Sequence, residues 1–372
     1  MKRSLILAIS IAAAANASSV QASTIYCVND WGLNDSQFCY GTPLPFPPIL
    51  PLDHPIFGAV VYEDCDIEGL DIHHETDELY ASSGDDTPRP GHLYYVYKDG
   101  PNQGDIIDLG KIDGLREIDT ISFHPITGDL WGWAQGQGLF FISETDVPFP
   151  PFPPFPPGVP ILPEVNIENP ICLPPEPEVP VIPAKLVLSG PPIEVEDITW
   201  NWEGNVLYAV ENVHGDVSGD ECVPHGVDSH GEDESGWPGP PYDFDFDECD
   251  IDGDGVVEGI RLWAYDDDEK NIVEMCPNLA PSIAARLGSP AEIEALEALP
   301  EGLLPGVDPV LEDLLLVGFH GPREMLYAVI VTPPLPLTEP LDCDIIWLDD
   351  IPTDPFGDIE GLAYSPNDNE PE

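Results

Sequence analysis

Positive charge is what this chain most lacks. Its 372 residues include 11 lysines and arginines against 70 aspartates and glutamates, a formal charge of −59. Such a surface repels nucleic acid and anionic membranes, so neither is expected as a partner. So few cations also leave little with which to build the Lys/Arg cluster of a phosphate-ester pocket. Three catalytic signatures are missing too: a Gly-x-Ser-x-Gly elbow, a His-Glu-x-x-His pair and a Gly-rich phosphate loop. No Cys-x-x-Cys occurs, which argues against zinc. After residue 22 no apolar run is long and unbroken enough for a membrane helix.

What is present begins with a segment that reads as a secretory signal over residues 1–22. Lys2 and Arg3 form its charged start, and Leu5 to Ala15 is an apolar stretch too short to span a bilayer. Val20-Gln21-Ala22 is a small-x-small cleavage site, with Ala15-Asn16-Ala17 as a second candidate. The expectation is export to a periplasm or the cell exterior, with no membrane insertion after cleavage. So much negative charge often means disorder. Against that, 42% of residues are hydrophobic, and Trp, Tyr, Phe, Ile and Leu recur at regular intervals. A folded acidic protein that attracts divalent cations is the better reading.

The eight cysteines are Cys27, Cys39, Cys65, Cys172, Cys222, Cys249, Cys276 and Cys343. An even count in an exported chain points to disulfides, though sequence does not settle their connectivity. Cys27–Cys39 and Cys222–Cys249 are the expected pairs, because each closes a local loop.

The organisation is repetitive. Asp66-Ile-Glu-Gly-Leu-Asp-Ile returns as Asp358-Ile-Glu-Gly-Leu-Ala-Tyr, with weaker copies at Glu117-Ile-Asp-Thr-Ile-Ser-Phe and Glu196-Asp-Ile-Thr-Trp-Asn-Trp. A second phrase follows: Glu78-Leu-Tyr-Ala, Asp129-Leu-Trp-Gly, Asn205-Val-Leu-Tyr-Ala, and alone at Glu324-Met-Leu-Tyr-Ala. Short alternating strands separated by turn clusters, repeated at this length, predict a β-propeller. The expected fold is all-β, with about five four-stranded blades in one domain over 23–372.

The chain ends with an orphan first strand at 358–366 and begins with orphan later strands at 24–62. The two are expected to share one blade and close the ring, which also removes an exposed edge. The other blades are 64–113, 115–190, 193–277 and 278–352. In the last, 290–299 has two readings: a helix after Ser289-Pro-Ala-Glu292, or a Glu-x-Leu strand. Insertions interrupt the blades. That at 147–183 is proline-rich and reads as stiff loops or a partner-recognition surface. That at 211–254 is acidic and rich in Gly and His. Its His214, His225 and His230 match no defined metal spacing and read as a solvated loop.

Two constellations carry possible chemistry. Asp250-Ile-Asp252-Gly-Asp254-Gly255-Val256-Val-Glu258 places hard oxygen ligands at alternate positions around a glycine turn, with the Val256 carbonyl as a further ligand. It resembles the calcium loops of EF-hands, dockerins and integrin-type propellers. Arg261 at position twelve departs from the first two, while a following strand, Arg261 to Asp266, suits the third. Calcium is therefore the expected cofactor. The second constellation is Glu68, Glu117, Glu196 and Glu360, with Glu294 at a related place. On first strands these carboxylates would converge at one channel mouth, as a divalent-ion site or as caps of the tunnel.

The Asp-x-Glu-Gly-Leu phrase resembles that of phytase-like and SdiA-regulated-type secreted propellers. Gluconolactonase-like propellers hold a divalent ion on similar carboxylates. The resemblance implies architecture over most of the chain, and a structural or Lewis-acid metal. His73 and His124, at successive first-strand ends, occupy the slot that WD-type propellers give to a structural histidine. The expected function is an exported calcium-binding propeller acting as a binding or surface-interaction module for a protein or glycan. The alternative is a metal-dependent hydrolase of esters, lactones or phosphoesters.

Overall fold

The computed structural model describes residues 24–30, 36–41, 56–62, 65–85, 87–148, 181–189, 195–213, 259–266, 271–276, 279, 292–300, 313–320, 325–331, 351–352 and 359–366. The signal-like segment, the Asp250–Glu258 loop, Cys222, Cys249, the histidines of the acidic insert and most of the proline-rich insert lie outside them.

Strand-forming β-branched and aromatic residues are frequent in most of the strands. The first three strands are β1 (Thr24–Asp30), β2 (Ser36–Gly41) and β3 (Ile56–Tyr62). Blade 1 holds β4 (Ile67–His73), β5 (Glu78–Ser83), β6 (His92–Val96) and β7 (Ile106–Ile112). Blade 2 holds β8 (Thr120–Phe123), β9 (Leu130–Ala134) and β10 (Gly138–Ile142). Two short strands lie at and just after the end of the proline-rich insert. β11 (Val181–Ile182) adds parallel to β7, and β12 (Lys185–Leu186) completes blade 2 against β10. Blade 3 is β13 (Asp197–Trp200), β14 (Leu207–Val213), β15 (Gly259–Asp266) and β16 (Asn271–Cys276). Blade 4 is β17 (Glu292–Leu299), β18 (Asp313–His320), β19 (Met325–Val331) and β20 (Ile351–Pro352). The last strand, β21 (Ile359–Ser365), pairs antiparallel with β1, giving blade 5 the order β21-β1-β2-β3.

The described residues thus form five sheets. Their innermost strands are neighbours in a closed circuit, β4 to β8 to β13 to β17 to β21 and back to β4. This is a β-propeller whose ring is closed by the two ends of the chain. Of the two readings of 290–299, the strand is the one adopted. The stretch pairs with β18 from Glu292 to Leu299, so ladder bonds and burial override the local helix-start pattern. The Leu-Tyr-Ala phrase opens the second strand in blades 1 and 3, but in blade 4 it lies in the third, β19. The phrase marks a strand, not a fixed place in the blade.

Adjacent blades pack face to face through apolar layers. Tyr80, Leu93, Phe123 and Leu130 lie between blades 1 and 2, and Trp131, Trp133, Trp200 and Leu207 between blades 2 and 3. Cys27 and Cys39 stand directly opposite on β1 and β2 and are disulfide-bonded, with Cα atoms 4.9 Å apart. Cys65 and Cys276 are half-cystines as well.

Candidate functional site

Side-chain hydrogen bonds between neighbouring blades set the register of the inner strands. The Phe123 amide donates to Asp71, Trp200 to Ser122, Ala298 to Thr199 and Tyr364 to Glu297. Each inner strand presents unpaired amides at its edge, and a polar side chain of the preceding blade accepts them. Asp71, Ser122, Thr199 and Glu297 are therefore equivalent positions, with Ala363 in blade 5. Ladder registers agree in the first three blades, where Ile72, Phe123 and Trp200 pair with Leu79, Leu130 and Leu207.

This register reveals a motif complete in every blade. Reading outward from the equivalent position, each strand carries Leu or Ile, one variable residue, an acid, Ile or Val, and a second acid. The inner acids are Glu68, Asp119, Glu196, Glu294 and Glu360, all half-buried. The aliphatics between the acids, Ile67, Ile118, Val195, Ile293 and Ile359, are fully buried and anchor the segment. One mouth of the channel is thus ringed by one carboxylate per blade, with Asp66, Glu117 and Glu292 at the next level outward.

Sequence spacing had grouped Glu117 with Glu68, Glu196 and Glu360. In register Asp119 takes that place, and Glu117 stands level with Asp66. The two positions lie two residues apart, a spacing that preserves strand face and so leaves no trace in the alternation. The buried Ile or Val between the paired acids is the signal that aligns all five copies.

Glu68 shows the electrostatics of the ring. Burial raises its pKa well above the ordinary value, and Asp66, Asp119, Glu360 and Glu117 add to the rise. Asp119 and Glu360 belong to the two flanking blades, as a ring requires. Glu68 keeps some residue surface, but its Oε2 is out of solvent and accepts no hydrogen bond. A Cβ at Gly84 would overlap its carboxylate, so the absent side chain makes the seat. Among the described residues no three His, Cys, Asp or Glu side chains are grouped closely enough to hold one metal ion.

Deeper in the channel lie three acids that sequence reasoning missed: Asp71, Asp197 and Glu297. Their oxygens accept bonds from Ile72 and Phe123, from Thr120, Ile198 and Leu296, and from Tyr364 and Thr199. Burial pushes Asp71 up to about 7, opposed by the Phe123 and Ile72 amides and the Ser122 hydroxyl. Burial also raises Asp197 and Glu297 well above their usual values, with Asp71 adding to both and Asp197 to Glu297. Desolvation and mutual repulsion outweigh the hydrogen bonds that favour the charged forms.

The far end is closed by aromatics. Trp202, after β13, donates its Nε1 hydrogen to the Ala298 carbonyl of blade 4 at 2.8 Å. Its ring lies 4.7 Å from His74 of blade 1 and 6.2 Å from Tyr364 of blade 5. Burial, with His73 and His124 nearby, lowers the His74 pKa to about 4, so that side chain is neutral near pH 7. His73 and His124 serve the adjoining turns. Each Nδ1 accepts turn amides, from Thr76 and from Ile126 and Thr127. Each imidazole packs against a glycine of the next blade's turn, Gly128 or Gly204, whose positive φ (70° and 66°) and lack of a side chain admit it.

No protein-family profile matches the chain, and neither does any curated protein. Among solved structures it is similar to a nidogen/laminin complex, with TM-score 0.42, 4% identity, and coverage of 92% of this chain and 98% of that one. It is also similar to an ancestral GH74 enzyme, with TM-score 0.34, 11% identity, and coverage of 91% of this chain and 32% of that one.

Proposed function

We propose that the protein is an exported, calcium-dependent β-propeller that acts as a binding or surface-interaction module for a protein or glycan. Its ligand-facing end is the acidic mouth. The observation that carries this reading is the ring of Glu68, Asp119, Glu196, Glu294 and Glu360 at one end of a channel whose other end Trp202 covers. A ring of like charges on five rigid strands is costly unless a cationic ligand offsets it or some of the acids keep a proton. The buried Cys27–Cys39 bond suits an oxidising compartment, in keeping with a signal over residues 1–22. Among the described residues no helix is long and apolar enough to cross a membrane. No observation favours the hydrolase alternative.

Calcium belongs to the Asp250–Glu258 loop, where Asp250, Asp252, Asp254, the Val256 carbonyl and Glu258 supply hard oxygen ligands just ahead of β15. The test is thermal unfolding with calcium and with chelator, in the wild type and in the double variant Asp252→Ala, Asp254→Ala. Calcium at a hundredfold excess over its Kd should stabilise the wild type by about 2.7 kcal/mol and leave the variant unmoved. Equal responses from the two proteins would refute the calcium assignment.

A further inference from the structure

We propose that the five-carboxylate ring binds a protonated primary amine, the head group shared by a lysine side chain and a free alkyl diamine. The inference rests on the binding-module reading and adds the chemical class of its ligand. Three observations on the ring carry it.

The acceptor left over in the channel is at ring level. Asp71, Asp197 and Glu297 already accept amide and hydroxyl hydrogens from the chain itself. Glu68 does not: its enclosed Oε2 has no donor, while Oε1 of the same carboxylate is the oxygen set against Gly84. A buried carboxylate oxygen without a donor is the group a ligand hydrogen would satisfy.

Spacing selects the kind of cation. A bare calcium ion needs several oxygens at about 2.3–2.6 Å from one point. Among the described residues no three acidic side chains are grouped to that end. An ammonium reaches each oxygen at about 2.7–2.9 Å through its own diverging hydrogens, so it suits a wider set of acceptors. Its alkyl stem also needs no ligands.

Charge makes the ligand's sign unambiguous. Every group that acts strongly on Glu68 is acidic: Asp66, Asp119, Glu360 and Glu117. Lys98 and Arg89, two of the few cations, are committed to Asp77 and Asp108. With Trp202 across the far end, a ligand enters from the acidic side, amine first.

The experiment is isothermal titration of the full, calcium-loaded chain with 1,5-diaminopentane and with Nα-acetyl-lysine-N-methylamide. The norleucine analogue serves as the uncharged control. One equivalent of amine should bind saturably, and Glu68→Gln should weaken it about tenfold or more. Glu360→Gln, from the neighbouring blade, should do the same and guards against a folding defect in either variant. Binding of the diamine alone assigns a free amine as the ligand; binding of the lysine amide alone assigns a partner's lysine. Uptake of several amines per chain with no change in either variant means diffuse attraction to the acidic surface and overturns the proposal. So does the absence of amine binding. Neither result touches the calcium reading, which the Asp252/Asp254 variant tests on its own.

Discussion

Replacing Asp71 by asparagine should flatten the pH dependence of this protein's stability. Asp71 is fully buried at the first inner strand, and its carboxyl is held near 7 instead of 3.8. Between those values the folded state keeps a proton that the unfolded chain releases. Stability is therefore fully present below about pH 4 and declines as pH rises through about 7, at up to about 1.4 kcal/mol per unit. From pH 5 to pH 8 the wild type should lose about 3 kcal/mol through this group alone. Asparagine cannot titrate, but it offers one acceptor to the two amides of Ile72 and Phe123, which costs about 1–3 kcal/mol at acid pH. The variant should thus be the less stable protein at pH 5 and draw level with or overtake the wild type by pH 8. Losing the Asp71 charge also eases the ionisation of Asp197 and Glu297, which pushes in the same direction. Urea unfolding followed by tryptophan fluorescence at constant ionic strength measures both curves. Parallel curves over pH 5–8 would show that Asp71 carries no extra proton in the folded ring, and the account of the buried acids would fail.

Three further outcomes test the architecture. Trp202→Ala should lower stability by about 2 kcal/mol, less than a fully buried tryptophan would, while Trp202→Phe should cost about 1 kcal/mol for the lost bond to Ala298; thermal melts compare them. Gly361→Ala would drive a Cβ into the Glu68 carbonyl where the ring closes, so about 1–3 kcal/mol should be lost in the same assay. Replacing Cys27 and Cys39 together by alanine opens a loop with a separation of 12 residues and should cost about 3 kcal/mol in urea; unchanged stability would mean the bond is absent from the native protein.

Much of the fold was legible because it is local and periodic. The repeated Asp-Ile-Glu-Gly-Leu phrase, the turn clusters and the orphan strands at the two ends specify short strands, blade boundaries and ring closure without reference to any distant contact. The Cys27–Cys39 pair was legible for the same reason, since a short loop places two cysteines on adjacent strands. Tertiary structure decided what depends on how one blade meets the next. Cross-blade amide bonds align Asp119 with Glu68 and Glu117 with Asp66, and a slip of two residues leaves every side chain on its original face. Asp71, Asp197 and Glu297 look in the sequence like ordinary strand polars; only closure of the ring buries them together and raises their pKa values. Trp202 reads as one more aromatic after a strand. It becomes the cover of the channel because blades 1, 4 and 5, distant in sequence, supply the imidazole, carbonyl and phenol rings it meets.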